Sequence, residues 1–217
     1  MPKIPPDALL LVARNCPHCA GVLAVLSEMV KHGTVGRLEV VNIAAHPGRA
    51  RELGVRGVPW IRVGPFELSG AHNRDELENW ASRAGDPQAL GDYLLELLGS
   101  GQLDTATAAC RRSPALLPPL LALAGDLETP FAVRVGVGAV LEQLGEEGRL
   151  HDLVDGIAVL ADNGQAQVRA DAAHFLGLTG ATAAREPLTR LLDDPDPEVR
   201  EIATESLATL ETTPPTG

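Results

Sequence analysis

The first 85 residues alternate between short apolar runs and stretches with helical periodicity. Four runs predict strands, the last two forming a hairpin that turns at Gly64 and Pro65: ALLLVA (8–13), RLEVVNI (37–43), VPWIRV (58–63) and FELSG (66–70). Three segments predict helices: one from Cys19 onward, with Val22, Val25, Leu26 and Met29 at apolar spacing, one at 46–55, and one at 73–85 that stops at a glycine. The predicted order is therefore β-α-β-α-β-β-α.

The second half of the chain is helical in pattern and repeats itself. NGQAQVRADAAHFLG (163–177) superposes on DPDPEVREIATESLA (194–208), and a fainter copy, PFAVRVGVGAVLEQLG, begins at Pro130. Each copy follows an earlier apolar helix, and in the last copy Asp196 is a good N-cap and Pro197 a good first-turn residue. The pattern predicts stacked helix pairs, with a leading pair over 87–111 that caps the stack.

Length and charge both divide the chain near residue 85. The 217 residues are enough for two small cores. Residues 1–85 carry 10 Lys and Arg against 8 Asp and Glu, whereas residues 86–217 carry 8 against 21. The predicted domains are 1–85, mixed α/β, and 86–211, all α, followed by a disordered tail at 212–217. The acidic second half argues against nucleic acid and anionic membrane as partners, because both are bound through Lys and Arg.

Cysteine usage points to chemistry rather than to a disulfide scaffold. The chain has three cysteines, and Cys16 and Cys19 form a C-x-x-C at a predicted helix start. No segment approaches the roughly 20 apolar residues of a membrane helix, and the chain shows no export signal, so we expect a cytoplasmic protein. A redox pair is the favoured interpretation; a zinc site, which lacks two further ligands, and two inert buried thiols remain as alternatives. Cys110 has the spacing of a core residue, and Trp60, Trp80, Phe131 and Phe175 are interpreted as packing residues.

A strand, a C-x-x-C at the next helix and a Val-Pro opening a later strand together resemble the thioredoxin superfamily, in its short glutaredoxin-like form over about residues 6–85. The motif Cys16-Pro17-His18-Cys19 is similar to that of the disulfide-oxidising branch. The resemblance implies that Pro59 is cis and that the backbone of Val58 pairs with the substrate chain. The matching strand lacks the buried acid that thioredoxins proper carry, so either proton transfer to Cys19 is left to water or His18, or turnover is slow.

The motif also predicts chemistry from its position. With Cys16 as N-cap and Pro17 in the first helical position, the sulfur of Cys16 would face unpaired amides of His18 and Cys19. Those amides, the helix dipole and a protonated His18 favour the thiolate, so we expect a Cys16 pKa below the free value of about 8.5 and an oxidising pair. Cys19, less exposed, would resolve the mixed disulfide.

The repeats resemble HEAT repeats of the short bacterial kind, over about 113–211, which implies an α-solenoid with an extended surface for partners. The combined prediction is a thiol-disulfide oxidoreductase whose HEAT-like domain docks a protein partner, with catalytic Cys16, Cys19 and His18, substrate-binding Pro17, Val58 and Pro59, and no metal or cofactor. Two alternatives stay open: a non-catalytic adaptor in which both domains are docking surfaces, and a helical domain that only solubilises or dimerises the redox domain. The oligomeric state is not predicted.

Overall fold

The computed structural model describes residues 4–212, and the chain divides after Tyr93 into two compact units. The first unit is mixed α/β and the second is helical. The boundary between the two units lies inside a helix that begins at Pro87. The change in charge along the sequence had predicted this boundary at residue 85.

The first unit has the predicted order of elements. In chain order these are β1 (Ala8–Val12), α1 (Cys19–Lys31), β2 (Leu38–Asn42), α2 (Pro47–Glu52), β3 (Trp60–Val63), β4 (Phe66–Ser69) and α3 (Arg74–Arg83). The predicted hairpin turn is present at Gly64, which has a positive φ of 57° that a residue with a side chain rarely adopts. Helix α3 begins with a capping box, since Asn73 and Glu76 each accept a hydrogen bond from the other's amide.

The four strands form one sheet in the order β2-β1-β3-β4. Strand β1 pairs in parallel with β2 and antiparallel with β3, so that Leu10 lies between Val40 and Ile61; β3 and β4 are antiparallel. Strands β1, β2 and β4 therefore end, and β3 begins, at the same end of the sheet. We call this the disulfide end, because the chain passes directly from β1 into Cys16.

Alternation along β1 sends side chains to two separate apolar clusters. Ala8 and Leu10 pack with α1 and α3, whereas Leu9 and Leu11 face the opposite side. On that side they pack with Leu53 and Trp60 and with partly buried side chains of the segment that follows α2. Both faces of the sheet are thus covered, and the loops at the disulfide end are anchored from either side.

The second unit consists of helices joined by short loops. In chain order they are α4 (Pro87–Gly99), which is shared with the first unit, α5 (Leu103–Arg112), α6 (Leu117–Gly125), α7 (Phe131–Glu146), α8 (Val154–Ala161), α9 (Ala166–Leu178), α10 (Arg185–Leu191) and α11 (Pro197–Thr212). Helices α4 and α5 are the leading pair predicted over 87–111. Thr212 closes α11, and the remainder of the tail predicted to be disordered lies outside the described residues.

The sequence repeat corresponds to a structural repeat in the loops before α7, α9 and α11. In each loop a side-chain oxygen accepts a hydrogen bond at 2.9 Å from the amide two residues on, and the three residues are Asp126, Asn163 and Asp194. The arginine of the repeated Val-Arg pair then bonds the loop carbonyl: Arg169 that of Asn163 at 3.0 Å, and Arg200 that of Asp194 at 2.6 Å. The arginine of the Val-Arg pair therefore ties the start of α9 and of α11 to the loop before it.

Successive repeats are joined by ion pairs that are partly or largely buried. Arg169 donates from Nε and Nη2 to the two carboxylate oxygens of Asp194, at 2.7 and 2.8 Å, and the Asp194 side chain is only 5% exposed. One repeat earlier, Arg134 donates from Nη2 to Asp171 at 2.7 Å, but its buried Nε has no partner among the described residues. The loop position equivalent to Asp194 is there occupied by Asn163, whose oxygen already accepts the Gln165 amide.

We therefore expect Asn163→Asp to stabilise the helical unit by about 0.5 kcal/mol, since a second carboxylate oxygen becomes available to Nε of Arg134. Denaturant unfolding measures the change. The matched control is the same substitution in an Arg134→Gln background, where no gain is expected. An equal gain in both backgrounds would show that the carboxylate acts on its own loop and not on Arg134.

Candidate redox site

Cys16 and Cys19 are joined in a disulfide, with an S–S distance of 2.04 Å and a Cα–Cα distance of 5.5 Å. Between β1 and α1 the amide of Cys16 donates to the carbonyl of Ala13 at 3.3 Å. The two sulfur-bearing residues differ in exposure: Cys16 is half-buried, whereas Cys19 is 5% exposed and packs as the first buried residue of α1. A solvent-borne reactant therefore reaches Cys16 first.

The helix begins two residues later than the N-cap prediction placed it. Its N-cap is His18, not Cys16, and Pro17 lies in the turn before it and not in the first helical position. The reason is that the first carbonyl to accept an i+4 helical bond is that of His18, from Val22 at 3.2 Å, while the Cys16 amide is taken by the turn to Ala13. The expectation that Cys16 caps the helix was therefore wrong.

The start of α1 still lies beside the disulfide. No side chain caps it, and the first turn holds no acidic residue, so the amides of Cys19, Ala20 and Gly21 have no partner within the helix. These amides carry the positive end of the helix dipole. The expectation that helix amides stabilise a thiolate at Cys16 therefore keeps a structural basis. The amides are those of the first turn of α1, which contains Cys19. Pro17 and His18 are both exposed on the surface next to Cys16.

The Val58–Pro59 peptide bond is cis, as the resemblance implied. Because Leu11 of β1 pairs with Trp60 of β3, Pro59 lies at the disulfide end, next to the residues that lead into Cys16. Pro59 is buried, and its carbonyl accepts a hydrogen bond from the amide of Gly70 at 2.9 Å. Within the described chain, Val58 makes no backbone hydrogen bond, so its N–H and C=O remain available to an extended segment from outside.

Cys110 is a core residue, as its spacing predicted. It is 2% exposed on α5, and burial raises the pKa of its thiol to about 12. A thiol with such a pKa is almost wholly protonated near neutral pH and is a poor nucleophile. Cys110 is therefore separate from the chemistry of the Cys16–Cys19 pair.

The four aromatic residues interpreted as packing residues do not all behave alike. Trp60 and Phe175 are each 5% exposed, and the Trp80 ring lies 4.7 Å from that of Phe66. Phe131, in contrast, is 80% exposed, because it is the first residue of α7 and the buried face of that helix begins only at Val133. Val135, one turn further on, is 56% exposed, and Leu127 in the preceding loop is 41% exposed. The interpretation was thus wrong for Phe131, which is the centre of an exposed apolar patch.

Membrane-spanning helices and metal-binding clusters are both absent from the described residues. No helix within residues 4–212 is both long and apolar enough to cross a membrane. Across the same described residues, no group of three or more His, Cys, Asp or Glu side chains is arranged to hold a metal ion.

The fold and the site together define a two-part molecule: a mixed α/β unit with a disulfide at the end of its first strand, and a helical unit built on a repeat. Comparison with known families bears on part of the helical unit: a family model described as HEAT repeats matches residues 157–216. The C-terminal region thus contains HEAT repeats, which commonly mediate contacts between proteins. The match begins inside α8, so helices α4 to α7 lie outside it. No curated protein matches the chain.

Proposed function

We propose that this protein is a thiol-disulfide oxidoreductase with a thioredoxin-like fold, whose helical unit docks the protein on which the Cys16–Cys19 pair acts. The observation that carries the proposal is the unequal exposure of the two cysteines at the disulfide end of the sheet. The sheet order β2-β1-β3-β4 and the cis peptide bond at Pro59 support the fold assignment.

In the reducing direction, the thiolate of Cys16 attacks one sulfur of a substrate disulfide and releases the other sulfur as a thiolate, which takes up a proton. Cys19 then loses its proton and attacks the Cys16 sulfur, so the Cys16–Cys19 disulfide forms and the second substrate thiol leaves. Two electrons pass from the protein to the substrate; one of the two protons that the substrate thiols take up comes from Cys19, and the other comes from solvent, which received it when Cys16 ionised. The oxidising direction is the reverse of these steps, and the half-buried position of Cys16 makes it the attacking or attacked sulfur in both.

Val58 and His18 have roles that follow from their positions. The free N–H and C=O of Val58 would hold an extended substrate segment next to Cys16 by strand-like pairing, with Pro17 as a neighbouring surface. His18, exposed at the start of α1, would exchange protons with solvent as Cys19 is deprotonated.

The helical unit would contribute the partner's docking surface through the patch of Leu127, Phe131 and Val135. A phenylalanine that is 80% exposed is unusual, and an apolar patch with acidic neighbours favours a partner with an apolar side chain flanked by basic groups. The neighbours here are Asp126 and Glu128, both exposed.

The pH dependence of alkylation separates an oxidoreductase from an adaptor. After reduction and removal of the reductant, we expect Cys16 to react with iodoacetamide at a rate that levels off below pH 8.5, since unpaired amides of α1 stabilise its thiolate. Mass spectrometry of peptides follows each cysteine separately. Cys110, buried and with its pKa raised to about 12, provides the internal control and should react far more slowly, only when the helices around it open. A Cys16 rate that still rises tenfold per pH unit up to about 8.5 would instead favour the adaptor.

A further inference from the structure

Three arginines in the first unit have no acidic partner among residues 4–212: Arg14, Arg51 and Arg56. All three side chains are exposed. At the opposite end of the sheet the pattern differs, since Arg37 beside β2 pairs with Asp7 beside β1 at 2.9 Å. On the helices of the same unit Arg49, Arg74 and Arg83 are likewise paired with carboxylates.

Topology places the three unpaired arginines at the disulfide end. Arg14 lies in the segment that leads from β1 into the disulfide, two residues before Cys16. Arg56 lies three residues before Pro59, and its neighbours Val55 and Val58 pack against the Leu9–Leu11 face of the sheet, which holds this loop close to the strand ends. Arg51 is on α2, between the end of β2 and the same loop.

The segments that meet at this end also lack acidic residues. No Asp or Glu occurs in residues 8–27, 40–51, 53–66 or 68–74. The carboxylates that border these segments at this end are Glu52, 3.4 Å from Arg49, and Asp75 and Glu76 in the first turn of α3, where Glu76 accepts from the Asn73 amide and lies 3.2 Å from His72. His18 and His46 are further exposed groups of the same end that carry either no charge or a positive one. The segments on either side of the disulfide, 8–27 and 53–66, therefore carry unpaired arginines and no carboxylate, which makes the immediate surroundings of Cys16 positive.

We infer that the redox site selects disulfides flanked by carboxylates, with Arg14 and Arg56 as the specificity-determining residues. The inference rests on the proposed function and names its substrate class. An anionic disulfide is concentrated near Cys16 by attraction to the guanidinium groups, and a cationic one is repelled. The guanidinium groups also stabilise the negative charge of the thiolate that leaves the substrate disulfide. Small dicarboxylate disulfides and acidic segments of a protein share this chemistry.

The experiment compares two small disulfides of opposite charge, 3,3′-dithiodipropionate and cystamine, in single-turnover reaction with the reduced full-length protein. The rate ratio of anionic to cationic disulfide is measured for the protein and for the double variant Arg14→Glu/Arg56→Glu. We expect the double variant to lower that ratio by about tenfold or more at low ionic strength, and 0.5 M salt to shrink the difference. Comparing this rate ratio between the protein and its variant cancels the intrinsic difference in reactivity between the two disulfides.

The matched control is Lys31→Glu/Arg37→Glu, which changes the net charge by the same amount away from the disulfide end, since Lys31 is the last residue of α1 and Arg37 pairs with Asp7 at the opposite end of the sheet. We expect it to leave the ratio within about twofold, because charges separated by more than about 10 Å are screened in 0.1 M salt. Peptide disulfides flanked by Asp or by Lys then identify the source: preference for the Asp-flanked peptide assigns a protein segment, and preference confined to dithiodipropionate assigns a small molecule.

Equal ratios for the protein and the Arg14→Glu/Arg56→Glu variant, or an equal loss in the control, would overturn the inference. In either case exchange itself would persist and the proposed function would stand. Absence of reaction with both disulfides is a different result, because it would remove the proposed function as well.

Discussion

Cys16→Ser is expected to reduce disulfide exchange to the rate of the reagents alone, in a single-turnover assay with a model disulfide and the reduced protein. Cys16 is the half-buried sulfur of the pair and the one that a substrate can reach, whereas Cys19 is 5% exposed at the start of α1. A serine hydroxyl in its place is not ionised near neutral pH and does not attack a disulfide. Cys110→Ala is the matched control and should keep the full rate, since Cys110 is buried and protonated.

Cys19→Ser is expected to have the opposite phenotype in the same assay. Its Cys16 still attacks, but the mixed disulfide is not resolved, so it accumulates to one per chain and is visible by mass spectrometry without reductant. If Cys16→Ser kept the rate of the unmodified protein, the pair would be structural and the adaptor interpretation would replace the oxidoreductase.

The trapped species also tests the docking surface. In a Cys19→Ser background, Phe131→Ser should lower the yield of partner held by the mixed disulfide, because the patch around Phe131 is proposed to hold the partner. Val159→Ser is the matched control, as Val159 is another exposed apolar side chain of the helical unit, at 71% exposure on α8. An equal yield in both variants would assign docking to another surface.

Arg169→Ala is expected to destabilise the helical unit by about 3 kcal/mol, the second large effect that the structure predicts. The substitution leaves the carboxylate of Asp194 buried, with its bonds from Nε and Nη2 removed, and also frees the carbonyl of Asn163. Arg190→Ala provides the control, since the Arg190 side chain is 52% exposed and its ion pairs at 3.4 and 4.0 Å should contribute less than about 1 kcal/mol. Denaturant unfolding of the two variants measures the difference, and equal losses would mean that the buried pair does not couple the repeats.

The same pair has a defined pH dependence. Hydrogen bonds from Arg169 hold the pKa of Asp194 below its ordinary value, and the Asp196 amide adds to the effect. A carboxyl with a lowered folded pKa stabilises the protein above its unfolded value of about 4, and the contribution is lost as the pH falls through the folded pKa. The gap in unfolding free energy between the parent and Arg169→Ala should therefore be full at pH 7 and shrink below about pH 4. A gap that stays constant into acid would show that Arg169 acts through packing alone.

Local sequence patterns predicted the order of elements in the first unit because each signal lies within one element. The apolar run at Ala8–Val12, the helical spacing of Val22, Leu26 and Met29, and the glycine of the β3–β4 turn all act over a few residues. The start of α1 was predicted wrongly for the converse reason. The chain between β1 and α1 makes a turn in which the Cys16 amide donates to the Ala13 carbonyl, and Pro17 is equally suited to a first helical turn and to the turn before it.

The surroundings of the site could not be predicted in the same way. Whether Arg56 or Arg37 finds a carboxylate depends on which strands are neighbours, and only the parallel pairing of β1 with β2 brings Asp7 to Arg37. Phe131 has an apolar side chain in a helix that is apolar overall, and its exposure is set by where the helix begins relative to its neighbours. The sequence could identify the cysteines, but not the charge or the shape around them.

The buried Cys110 thiol can be used to measure local opening of the helical unit. Its labelling requires that α5 separate from the helices packed on it, so the rate at which a thiol reagent modifies Cys110 in native conditions measures the free energy of that opening. The Cys16–Cys19 pair does not interfere while it is oxidised, because Cys110 is then the single free thiol of residues 4–212. Partner binding that stiffens the helical unit would be seen directly as slower labelling at this one sulfur atom.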